Sequence, residues 1–70
     1  MKYDYRKMKD HIRQYMYDNK ISTLVELSKV SAIKYHTLYS MTLGTEPGII
    51  PFGKICKLMG VSMEDYFINE

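Results

Sequence analysis

Two histidines, one cysteine and a scatter of carboxylates are the residues of this 70-residue chain that could do acid–base, nucleophilic or metal chemistry. None is spaced for it. His11 and His36 lie in separate segments, with no further ligands at metal-binding spacing beside them. His11 is expected on the solvated flank of a helix. Cys56 sits near Ile55, Leu58 and Met59, where a thiol packs as a small apolar group. A nucleophile would need a neighbouring base and an electropositive setting. No Gly-rich phosphate loop and no paired-carboxylate pattern occurs. Glu64-Asp65 is what the first turn of a helix takes against its positive end. A cleft that desolvates a substrate is hard to build at this size. The expectation is a protein that is not an enzyme and holds no metal or cofactor. The remaining concentration of polar chemistry is Tyr35-His36-Thr37-Leu38-Tyr39-Ser40, where hydroxyls and an imidazole ride on broad apolar rings.

The elements that must position that run are short. The length allows one small domain, 1–70, which buries only about 60% of its unfolded surface. The composition, 46% hydrophobic and 26% charged, is that of a globular chain. A net charge of +2 excludes both a polybasic tail and an acidic mimic of nucleic acid. The charge is unevenly placed: residues 1–20 carry Lys2, Arg6, Lys7, Lys9, Arg13 and Lys20 against three aspartates, whereas residues 45–70 are net acidic. The first two thirds could face a polyanion, or the charges could simply solvate helix surfaces. One cysteine allows no internal disulfide and fits a reducing cytoplasm. No apolar stretch approaches the roughly 20 residues that span a bilayer, so no membrane partner is expected.

Tyr5, Met8, Ile12, Tyr15 and Met16 form one helical stripe, and Asn19 is expected as the left-handed residue that ends it. Thr23 with Glu26 reads as a capping box, opening a helix over about 24–30. A tight turn at 31–34 leads to a helix over 35–43, with Leu38 and Met41 inward and Gly44 as its stop. Thr45-Glu46-Pro47-Gly48 is the clearest loop. Pro51 suits the first position of a fourth helix that runs to Met59, and Gly60 breaks it. Ser62 to Asp65 is a second capping box, opening a last short helix through Tyr66 and Phe67. No strand is needed. The expected fold class is all-α, a compact bundle of about five short helices.

Residues 23–44 carry two short helices joined by a tight turn, a helix-turn-helix pattern. The run Thr23-Leu-Val-Glu-Leu-Ser-Lys-Val-Ser-Ala-Ile-Lys-Tyr-His-Thr-Leu-Tyr-Ser-Met-Thr-Leu-Gly44 resembles the lambda-repressor-like domains of phage repressors, Cro proteins and XRE transcriptional regulators. Ser28, Ala32, Leu38 and Met41 stand at that family's small, turn and two aliphatic positions. The stretch Leu-Met-Gly-Val-Ser-Met-Glu-Asp at 58–65 is similar to its closing helices. The resemblance implies a phage-type regulator that binds double-stranded operator DNA as a homodimer, on half-sites about one helical turn apart. It places Tyr35, His36, Thr37, Tyr39 and Ser40 toward base edges in the major groove. Thr23, Lys34, Thr45 and Lys54 fall at phosphate-contact positions. This chain differs from the family at four points. Leu24 replaces a common Gln, Ala32 replaces the turn Gly, and the helix after the turn lacks the Arg, Gln or Asn that grip purines. Met16 and Thr42 stand where many members pair an Arg with a Glu.

Three readings of the tyrosines stay open. They contact DNA, they bind a protein, or one packs back on the core. With a protein partner the chain would be an antirepressor or modulator that grips another repressor. Dimer or partner contacts are expected from Ile49, Ile50 and Phe52, or from Tyr66, Phe67 and Ile68, and both clusters could instead be internal core.

Overall fold

The computed structural model describes residues 2–69. The described residues are mostly helical, with four α-helices, one 3₁₀ turn and a two-stranded antiparallel sheet. The helices begin where side chains satisfy their free N–H groups. Asp4 accepts from the Lys7 amide at 3.1 Å and opens α1, Tyr5–Asp18. Thr23 Oγ1 accepts from the Glu26 amide at 3.2 Å and opens α2, Leu24–Ser31. The Glu26 carboxylate accepts from the Ser22 amide at 3.4 Å, one residue before the amide that a capping box would use. Then follow α3, Tyr35–Met41, and α4, Ile49–Met59.

The helix ends show where local preference gives way. Asn19 stays at φ −106°, and Lys20 takes the left-handed place at φ 56°. The Ile21 amide then reaches back to the Met16 carbonyl at 2.8 Å. Asn19 is occupied otherwise, since its side-chain amide donates to the Tyr15 carbonyl at 2.8 Å. α3 stops at Met41 rather than Leu43. The Thr42 hydroxyl donates to the Tyr39 carbonyl at 2.8 Å, and the Thr45 amide closes a turn on Ser40. α4 starts at Ile49, so Pro51 is its third residue. The missing N–H is harmless there too, because no carbonyl lies one turn below it.

The expected last helix is only the 3₁₀ turn Met63–Tyr66. Beyond it the backbone extends, and β2, Phe67–Ile68, pairs antiparallel with β1, Lys2–Tyr3, in the register Lys2 to Ile68 and Tyr3 to Phe67. Two-residue strands are too short to show alternation, and their partners stand at opposite ends of the sequence. The Asp4 amide donates to the Tyr66 carbonyl at 2.7 Å and continues the ladder.

The core joins Met8 and Ile12 of α1, Leu27 of α2, Leu38 and Met41 of α3, and Ile55 of α4. An aromatic wall of Tyr3, Phe52, Tyr66 and Phe67 closes the end beneath the sheet. Ring centroids of Tyr3 and Phe52 are 5.8 Å apart in an edge-on arrangement. The Tyr3 hydroxyl donates to the Met41 carbonyl at 2.7 Å and ties this wall to α3.

Candidate functional site

α2 and α3 are joined at Ala32, which holds φ 58° and ψ 31°. A left-handed alanine costs roughly 1–2 kcal/mol against ordinary backbone. Neighbouring bonds hold it there. The Ser28 hydroxyl donates to the Ile33 carbonyl at 2.7 Å, and Lys54 Nζ donates to the Ala32 carbonyl at 3.3 Å. Ile33 is buried just beyond. The bend turns α3 so that Leu38 and Met41 are fully buried, while Tyr35, His36 and Tyr39 are exposed.

The exposed rings are ordered against one another. Tyr35 and Tyr39 are stacked, with centroids 6.0 Å apart and planes 14° from parallel. His36 meets Tyr35 edge-on at 5.9 Å. Thr37 and Ser40 are half-buried, and the Ser40 hydroxyl donates to the His36 carbonyl at 2.8 Å, so its proton is committed within the helix. Of the five residues expected at the recognition surface, three are freely presented.

Shallow depressions flank α3. One, of about 260 Å³, lies between His36, Thr37 and Ser40 and the loop residues Thr45, Glu46 and Gly48. The other, of about 250 Å³, is bounded by Lys34, Thr37, Ile50 and Lys54. Lys34, Thr45 and Lys54, three of the residues expected at phosphates, thus line depressions beside α3. Lys54 is already engaged at the carboxyl end of α2, where a cation complements the helix dipole. Thr23, the cap of α2, opens instead on a groove of about 370 Å³ that it shares with Lys9, Arg13, Met16, Tyr39 and Thr42. Met16 and Thr42 border the same groove. Lys9 and Arg13 were not singled out in the sequence beyond their charge. Their i,i+4 spacing on α1 was the available signal.

The expected partner-facing residues separate into two groups. Phe52 and Tyr66 are core residues and are withdrawn from any surface, because the aromatic wall needs both rings. Phe67 is half-buried against the same wall. Ile49, Ile50 and Ile68 are exposed, the first two by 76% and 70%. His11 also departs from expectation. It is half-buried, and its Nδ1 lies 2.7 Å from the Tyr66 hydroxyl. Burial, with Cys56 and Asp65 nearby, pushes that hydroxyl up to about 12. Burial chiefly, with Asp65 adding, pushes the Cys56 thiol up to about 11, so the thiolate needed for reactivity is disfavoured. Among the described residues no cluster of three His, Cys, Asp or Glu is placed to hold a metal ion. Among the described residues no helix is long and apolar enough to cross a membrane. No family model, curated protein or solved structure matches the chain.

Proposed function

We propose that α2 and α3 form a helix-turn-helix and that the protein is a phage-type transcriptional regulator, acting in the cytoplasm as a homodimer on operator DNA. The observation that carries this reading is the division of α3. Its inner side chains, Leu38 and Met41, anchor it fully, and its outer rings begin at the first helical residue, Tyr35. A helix held this way can enter a major groove with its opening turn against base edges. Lys34 and Thr45 border it where phosphates would pass, and Lys9 and Arg13 beside Thr23 offer a second basic approach. Ile49 and Ile50 supply the apolar surface for the second copy.

A second reading has its own observation. The large exposed rings of α3 and the small net charge of +2 suit a protein partner, which would make the chain a modulator of another repressor. Anisotropy titration of random-sequence duplexes over several salt concentrations separates the two. Binding to DNA through phosphates gives a log–log salt slope of about −0.9 per neutralised phosphate. Weak binding without a salt slope, beside tight binding to a repressor protein, would overturn the operator reading.

A further inference from the structure

α3 carries none of the side chains that grip a purine edge through two parallel hydrogen bonds. Residues 35–41 contain no Arg, Lys, Asn or Gln. Its polar capacity is smaller than its composition suggests, because the Ser40 proton is committed to the His36 carbonyl and Thr37 is half-buried. What remains is the exposed His36 imidazole, the Tyr35 and Tyr39 hydroxyls and, as the broadest part, ring surface. Tyr35 and Tyr39 stack on each other and remain 41% and 47% exposed, so apolar ring surface is open to a partner. The two rings already pack on one another, so contact through the pair restricts less side-chain freedom than contact through two separate rings.

On the major-groove edge of the base pairs the apolar group is the thymine C5-methyl. Resting on the operator-binding reading, we propose that α3 selects thymine through apolar contact between the Tyr35–Tyr39 stack and C5-methyl groups. The specificity of this helix is then for methyl-bearing steps, and the hydroxyls of Tyr35 and Tyr39 serve sugar or phosphate.

The test uses duplexes selected by the full chain from a random-sequence pool. Each is remade with deoxyuridine in place of thymine, which removes the methyl and leaves base pairing and hydrogen-bonding groups unchanged. Affinity is expected to fall about fourfold for each contacted methyl, the effect of burying one such group. Tyr35→Phe and Tyr39→Phe keep the thymine preference, and Tyr35→Ala and Tyr39→Ala abolish it, with far-UV circular dichroism checking that the helices persist. Loss of the preference in the Phe variants would assign it to the hydroxyls and overturn the apolar contact. Equal binding of both duplex forms overturns thymine selection and leaves operator binding intact. A pool from which no duplex is retained overturns both.

Discussion

Tyrosine and histidine meet twice in this molecule, on opposite terms. His11 and Tyr66 sit edge-on with ring centroids 5.4 Å apart, and a 2.7 Å hydrogen bond joins Nδ1 to a hydroxyl whose ring is fully buried. Tyr35 and His36 meet at 5.9 Å in much the same edge-on manner, yet both stand in solvent beside Tyr39. In the first pair the polar atoms answer each other, so the pair holds α1 to the turn at 63–66. In the second the rings meet on an exposed stretch of α3, and no hydrogen bond joins their polar atoms. Residue type alone therefore says little. A tyrosine with its hydroxyl committed is structural, and one with it free is available to a partner.

The largest contrast comes from removing each ring. Tyr66→Ala should destabilise by about 3 to 5 kcal/mol, enough to unfold much of a domain this small, whereas Tyr35→Ala should stay within about 0.5 kcal/mol of the parent in urea titrations. Comparable losses at both sites would erase the distinction.

Alkaline pH should act on the buried region. Folding raises the pKa of the Tyr66 hydroxyl from 10.0 to about 12, and burial also raises that of Tyr3. The native state thus holds protons that the unfolded chain releases. Their stabilisation is complete below pH 10 and is lost as pH climbs toward 12. Melting temperatures followed from pH 9 to 12 should fall, and Tyr66→Phe should make that fall shallower.

A single oxygen gives the finest comparison. Tyr66→Phe leaves the His11 nitrogen without its partner and should cost about 1 kcal/mol, a melting shift of roughly 4–8 °C. Tyr39→Phe should move the melt by less than about 0.5 kcal/mol. Equal shifts would mean that the Tyr39 hydroxyl has a partner of its own.

What could be read from the amino acids divides along similar lines. The helix start at Thr23 and the inward pair Leu38/Met41 depend on neighbours three or four residues away, and these follow from local spacing. The same periodicity left open whether one of Tyr35 and Tyr39 packs back on the core, and both are exposed. Interactions between distant residues were not legible. His11 meets Tyr66 across 55 positions, and Tyr3 reaches Met41 across 38. Nothing in either neighbourhood marks them as partners. For the same reason Phe52 and Tyr66 read equally well as surface or core. The shift of the left-handed site from Asn19 to Lys20 was hidden differently, since Asn19 has a second use for its amide.

The ladder between Tyr3 and Phe67 spans 64 positions, so nearly the whole polypeptide must be drawn into a ring before those two residues meet. Closing such a ring costs on the order of 4 kcal/mol in chain entropy. The strands repay little of it by themselves, being two residues each. Their amides should therefore be the last to gain protection from deuterium exchange during refolding and the first to lose it under mild urea, while α1 and α4 remain closed. The aromatic wall works in this sense as a clasp that locks after the helical body has assembled.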